Sequence, residues 1–150
     1  MMETIRVATI SDAEAVAALT RAAYARWVPV IGRKPLPMEV DHAAFIRDHR
    51  ADLLFSGPDL VALVETIQRE NDILIENVAV EPHFQKRGYG RKMVAYAEQL
   101  AVQAGVGIVR LYTNSLFKEN LRLYASLGYE IEREEARNGG VAIYMFKRVP

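Results

Sequence analysis

The sequence predicts a mixed α/β fold: a sheet of about seven strands flanked by about four helices, in the order β-α-α-β-β-β-α-β-α-β-β. Three observations carry that expectation. Short apolar runs such as "LVALVETI" and "ILIENVAV" alternate with stretches whose apolar residues recur at helical spacing. Turn signals, "SGPD" and "RNGG", join apolar runs in pairs, as antiparallel hairpins require. The length, 150 residues, suits one domain (1–150) with a core of its own.

The elements follow in order. "TIRVATI" alternates Ile5, Val7 and Thr9 and predicts a first strand. Ser11 stands three residues before Glu14, the spacing of a capping box, and opens a helix with Val16, Leu19 and Ala23 on one face, running to about Ala25. "RWVPVIGRKPLPM" (26–38) is expected to be irregular, because three prolines and a glycine interrupt it. "MEVDHAAFIRDH" resumes as a short helix. "DLLF" and "LVALVETI" form a hairpin, and "REND" turns the chain into "ILIENVAV" (73–80). Met93, Val94, Ala97, Leu100 and Ala101 predict a helix over about 88–104, stopped by Gly105. "GIVRLYT" is a strand. A helix carrying Leu121, Tyr124 and Leu127 ends at Gly128, a glycine in the C-terminal cap position. "YEIEREEA" and "VAIYMFKRV" close the chain as a hairpin.

The stretch "EPHFQKRGYGRKM" is the most informative. It places two glycines and four cations where a strand runs into a helix. The first amides of a helix lack intrahelical acceptors and the helix dipole is positive there, so glycines that admit a ligand to the backbone suit a diphosphate. A plain helix start with a solvated basic rim fits the same residues. A dinucleotide fingerprint fits poorly, since its third glycine would fall on Met93, and no G-K-[ST] follows for a Walker loop. Nineteen Lys+Arg balance nineteen Asp+Glu, so there is no global basic field for nucleic acid. The absence of cysteine removes disulfides, thiolate metal sites and a cysteine nucleophile. No signal-peptide pattern and no apolar run of spanning length is seen, so the chain is expected to be soluble and cytoplasmic, without a membrane partner. His42, His49 and His83 show no metal-site spacing and are expected on the solvated surface.

"VAVEPHFQKRGYGRKM" resembles motif A of the Gcn5-related N-acetyltransferase (GNAT) superfamily, roughly V-x-P-x-x-[QR]-x-x-G-x-[GA]: Val80, Pro82, Gln85, Gly88 and Gly90 fall in place. "ENLRLYASLGY" is similar to the family's later tyrosine-bearing helix and its Gly-aromatic pair. The resemblance implies a GNAT-like, mostly antiparallel sheet and transfer of an acetyl group from acetyl-CoA to an amine by direct attack, with no metal. It also implies that strand 73–80 splays from strand 107–113 and that the pantetheine arm lies in the gap. Backbone groups of Val78, Ala79 and Val80 would meet that arm; Gln85, Lys86, Arg87, Gly88, Tyr89, Gly90 and Arg91 would surround the diphosphate. A cofactor that brings its own thiol makes sense of a chain without cysteine.

Tyr124 occupies the family position of the acid that protonates the leaving thiolate; a phenol near pKa ~10 can donate to a thiolate near ~8.5. The less favoured reading is a core tyrosine with a satisfied hydroxyl. An amide of strand 73–80, Val78 for one, could polarise the thioester carbonyl. Glu76, two residues before Val78 and so expected on its face, is the candidate base, a partner for a substrate cation, or an exposed strand residue. Where many family members carry a coenzyme-contacting asparagine, this chain has Phe117; Asn114 and Asn120 bracket it, and Asn120 is slightly favoured over Asn114, which could cap a helix. The 26–38 segment borders the family's acceptor pocket, making Arg26, Trp27, Arg33, Lys34 and Met38 candidates to line it. Arg33 and Lys34 would favour a carboxylate or phosphate, and Trp27 would stack on the acceptor or pack the loop onto the domain. A non-catalytic acyl-CoA sensor and an interaction protein that lost the cofactor are the competing readings. The edge strands of the final hairpin leave room for a homodimer.

Overall fold

The computed structural model describes residues 2–137 and 139–150. Asn138, in the predicted "RNGG" turn, lies outside the described residues. Seven strands, β1 (Glu3–Val7), β2 (Arg50–Ser56), β3 (Asp59–Gln68), β4 (Ile73–Val80), β5 (Ile108–Asn114), β6 (Glu130–Arg137) and β7 (Gly140–Arg148), form one sheet in the order β1-β2-β3-β4-β5-β7-β6. Every pairing is antiparallel except β4 with β5. The C-terminal strand inserts between β5 and β6, so β6 rather than β7 is the edge. Four helices, α1 (Ala13–Tyr24), α3 (His42–Asp48), α4 (Tyr89–Ala104) and α5 (Lys118–Ser126), accompany the sheet, with a one-turn piece, α2 (Val28–Ile31). No helix of the described residues is long and apolar enough to cross a membrane.

The sheet has a core on each face. On one, Met93, Val94, Ala97 and Ala101 of α4 are fully buried against Ala62, Val64, Ile75, Val109 and Leu111. On the other, Val16, Leu19 and Ala23 of α1 and Ile46 of α3 cover Leu53 and Leu63. A fully buried Met, Leu or Val contributes about 1.5–3 kcal/mol, so these two layers set the sheet's position between the helices.

Two local expectations are corrected. The cap of the first helical segment lies two residues upstream of Ser11–Glu14: the Asp12 carboxylate accepts the Thr9 N–H at 2.8 Å, while the Ser11 hydroxyl pairs with the Thr9 hydroxyl. The 26–38 segment is not irregular throughout; it is a string of single turns, Ala25–Trp27, α2 and Leu36–Glu39. Pro29 and Pro37 sit in the first positions of their turns, where a missing N–H breaks no helical bond.

β4 carries the irregularity that matters. Its register with β3 pairs Thr66 with Ile75 and Glu65 with Asn77, leaving Glu76 as the extra residue of a bulge. Ile73 and Ile75 face the α4 core, and beyond the bulge Val78 and Val80 do so, while Ala79 joins the opposite core. The parity switch overturns the expectation that Glu76 and Val78 share a face by simple alternation. Pairing between β4 and β5 covers only Ile73–Ile75 against Val109–Leu111; from Glu76 onward the two strands are unpaired.

Candidate active site

The split between β4 and β5 opens two cavities that meet. One runs along Val78–Val80 to the loop before α4 and is walled by Ala23, Trp27, Leu123 and residues 85–91 apart from Arg87. The other lies on the far side, among Ile31, Arg33, Pro35, Leu36, Glu76, Asn77, Tyr112, Asn114, Arg137 and Val141. Tyr24, Val78, Asn120 and Tyr124 belong to both.

At the loop end, the backbone is left-handed at Lys86 (φ 64°) and Gly88 (φ 85°). Such alternation gathers successive N–H groups into an anion-binding concavity. The N–H groups of residues 86–91 find no acceptor among the described residues; the first one used is Lys92, which donates to the Gly88 carbonyl at 3.0 Å. Gly88 requires its positive φ, and a Cβ there would meet nothing within 4 Å. Gly90 is the sharper case: a Cβ would make only ordinary contacts, 3.8 Å to Leu123 and 3.9 Å to Val80. Packing therefore does not require glycine at 90, although glycine inside a helix costs about 1 kcal/mol relative to alanine. Open space over unpaired amides fits a diphosphate. Among the cations, Lys92 is committed to Glu3, and Arg91 donates to the Ser126 hydroxyl at 3.2 Å. Arg87 lies over the Phe84 ring, and neither it nor Lys86 pairs with a described carboxylate.

Along the split, the Val78 carbonyl accepts from the Tyr24 hydroxyl at 3.3 Å and the Val80 carbonyl from the Gln85 side-chain amide at 3.2 Å. The Glu81 N–H turns the other way, to Val61 of β3. By alternation Val78 and Val80 present main-chain groups to the gap, and Ala79 presents its own to β3. Gln85 thus ties the loop to the strand end.

Where the cavities meet, Tyr124 is 9% exposed, and burial pushes its hydroxyl up to about 12. That hydroxyl makes no hydrogen bond to the described residues, so it is not the satisfied core tyrosine that the sequence also allowed. Tyr24, at the end of α1, is half-buried and its hydroxyl is raised further, first by desolvation and then by the neighbouring Tyr124 and Tyr112. Sequence reasoning missed Tyr24; a tyrosine four residues after Thr20 at the end of a small-residue helix was the available signal.

Glu76 is the one carboxylate lining the second cavity, and it accepts from the Tyr112 hydroxyl at 2.8 Å. Burial, then the Glu76 charge, raises the Tyr112 phenol, so it stays a donor. Behind the wall lies a buried polar chain. His42 Nδ1 is 2.9 Å from Glu65, His42 Nε2 is 3.0 Å from the Pro37 carbonyl, and Asn77 Nδ2 donates to Glu65 at 3.0 Å and to Thr20 at 3.1 Å. Two acceptors on one imidazole call for both N–H groups. Burial lowers the His42 pKa, but Glu65 and Pro37 outweigh it and the net shift is upward. His42, expected on the surface, is 4% exposed. His49 and His83 are exposed, and the described residues contain no cluster of three metal-type ligands.

The remaining candidates separate. Asn120 lines both cavities, whereas Asn114 lines only the second and accepts the Leu116 N–H at 2.9 Å. Phe117 is buried, stacked on Trp27 at 4.4 Å, and lines the second cavity. Trp27 and Arg26 therefore border the loop-side cavity, with Arg26 over the indole and paired to Glu119 at 3.0 Å. Arg33 lines the second cavity; Lys34 and Met38 line neither.

Comparison with known proteins follows this geometry. A family model described as an acetyltransferase (GNAT) domain matches residues 56–131. The fold is that of the ribosomal-protein-S18-alanine N-acetyltransferase from Escherichia coli, at 20% identity over 99% of this chain and 94% of that one, TM-score 0.80. It is equally that of the PaiA N-acetyltransferase from Thermoplasma acidophilum in complex with coenzyme A, at 17% identity over 99% of each chain, TM-score 0.79. A nourseothricin acetyltransferase matches at 18% identity over the whole of both chains, TM-score 0.77. No curated protein sequence matches the chain. With more than half of its length matched by the family model, this chain belongs to the GNAT acetyltransferase family.

Proposed function

We propose that the protein transfers an acetyl group from acetyl-CoA to a small amine by direct attack, within one catalytic domain. One observation carries the reading: a groove walled by unpartnered amides and a cavity holding a single carboxylate meet at an unbonded tyrosine hydroxyl. Acetyl-CoA, when bound, supplies the activated acetyl group and a thiol that can leave. The amides of residues 86–91 would hold its diphosphate, and Val78 and Val80 would offer the strand edge to its amide-bearing arm. Asn120, facing both cavities, is better placed than Asn114 to touch it.

In the second cavity Glu76 would take a proton from the acceptor's ammonium, and the donating Tyr112 fixes the carboxylate's direction. Tyr124 would hold a proton at its hydroxyl for the departing sulfur. A phenol near 12 is a weak donor to a thiolate in water, but the desolvation that raises the phenol raises a thiol in the same place. The Val78 N–H would polarise the acyl carbonyl.

The test is free-thiol release from acetyl-CoA with a panel of primary amines, beside calorimetric coenzyme A binding. Turnover with at least one amine supports the reading. Tight binding with no thiol released by any amine would leave a coenzyme-binding module and refute catalysis.

A further inference from the structure

The second cavity holds opposite charges that do not neutralise each other. Glu76 lines it on one side, bonded only to a neutral phenol. Arg33 and Arg137 line it as well, and neither forms an ion pair with a described carboxylate. Arg137 donates to the Tyr144 hydroxyl at 3.0 Å and lies over the Tyr112 ring, which leaves most of its donors unspent.

The Arg33 side is built. A Cβ on Gly140 would come within 3.1 Å of Arg33 Nη2 and 3.4 Å of Asn114 Nδ2. Glycine at 140 therefore makes the space into which both donors converge, and neither donor has an acceptor among the described residues. The carboxylate side has its own vacancy. Asn77 Oδ1 is the single buried side-chain polar atom without a partner among the described residues, and Asn77 stands next to Glu76 in the same wall. The cavity thus offers both a carboxylate and unspent donors, bordered otherwise by apolar groups such as Ile31, Leu36 and Val141.

We infer that the acceptor is a small zwitterionic amine: its amino group lies at Glu76, and an oxyanion on the same molecule, carboxylate or phosphate, is held by Arg33 and Asn114. The inference deepens the proposed acetyl transfer and rests on it. Unpaired charges in a partly enclosed site are costly, and a ligand bearing both charges relieves both at once. A planar guanidinium takes either oxyanion in a forked pair. An amine without the anion would leave Arg33 unpaired and bind more weakly.

Two measurements test it, and only one needs turnover. Thiol release is compared for matched pairs that differ in the anion alone: phenylalanine against phenethylamine, leucine against 3-methylbutylamine, and O-phosphoethanolamine against ethanolamine. The anionic member is expected to show a kcat/KM higher by roughly ten-fold or more, and Arg33→Gln to erase that preference, mainly by raising the KM of the anionic member. Gly140→Ala, which pushes on Arg33 and Asn114, should lower the preference by less. Preference for the phosphate pair over the carboxylate pairs identifies phosphate as the anion, and the reverse identifies carboxylate. Equal rates within every pair would overturn the inference while leaving acetyl transfer intact. The second measurement is calorimetric binding of N-acetylphenylalanine against N-acetylphenethylamine to the cofactor-free protein. Tighter binding of the acid, lost in Arg33→Gln, supports the anion seat even if no amine is turned over. Equal binding refutes it.

Discussion

The two cavities that meet at Tyr124 are made of different material. The loop-side groove takes its polar groups from the main chain of one run, Val78 to Arg91, the unpartnered amides of residues 86–91 and the free edge of β4, with side chains of Ala23, Trp27 and Leu123 only walling it. The acceptor-side cavity is lined by side chains from the 31–37 turns, β4, β5, α5 and the β6–β7 hairpin. A site of main chain recognises what every substrate of the reaction shares, so it needs glycines and a φ pattern. Under the proposed function, the side-chain site would be the one that selects the amine.

The contrast makes graded predictions. Gly88→Val should have the largest effect, a loss of coenzyme A affinity of at least about 100-fold by calorimetry, since a β-branched residue resists φ 85° and covers the amides. Gly90→Ala separates binding from folding. With only ordinary contacts waiting for the new methyl, it should raise unfolding stability by up to about 1 kcal/mol while weakening coenzyme A. Unchanged affinity there would break the claim that the glycines serve a ligand.

Next comes the junction. Tyr124→Phe should lower kcat by roughly 100-fold or more with coenzyme A affinity intact, and should cost little stability because the hydroxyl bonds nothing. With that hydroxyl held up to about 12, wild-type kcat should show no alkaline fall from this group below roughly pH 11. An alkaline limb near pH 9, absent in Tyr124→Phe, would contradict the burial argument.

Behind the acceptor side, His42→Ala would strand Glu65 in the core and should cost about 3–5 kcal/mol by denaturant unfolding. The sign of its pH dependence is set by the upward shift. The folded state binds the proton more tightly, so the stabilisation is complete below about pH 6.5 and is lost as pH rises through the folded value. Stability should therefore decline from neutral to alkaline pH in the wild type, and the variant should lack that decline. The smallest effect belongs to Lys86→Gly. It removes one exposed charge but relieves a left-handed backbone, so coenzyme A affinity should change only a few-fold and mostly at low salt. A large loss would mean that side-chain charge, rather than main chain, holds the phosphates.

The split in legibility follows the same line. The glycine loop was visible because its requirements are consecutive: strand, turn and helix start lie within Ile73–Gly90. Tyr124 stood out through its spacing to Gly128, whereas Tyr24, Asn77, Tyr112 and Arg137 carried no comparable mark. His42 was misplaced because a short helix with mixed polarity does not reveal its inner side; Glu65, 23 residues away, makes that side. Trp27 and Phe117, each considered alone, turn out to be one stacked pair across 90 positions.

By itself the sequence determined the elements, their order and the glycine-bearing turn into α4, because periodicity, caps and glycine conformations act over a few residues. The tertiary structure decided where β4 breaks from β5, since the bulge at Glu76 exists only as a register between β4 and β3. It also decided which charges stay unpaired. A guanidinium, an amide and a glycine from residues 33, 114 and 140 share one corner because the sheet brings together segments that the chain keeps far apart.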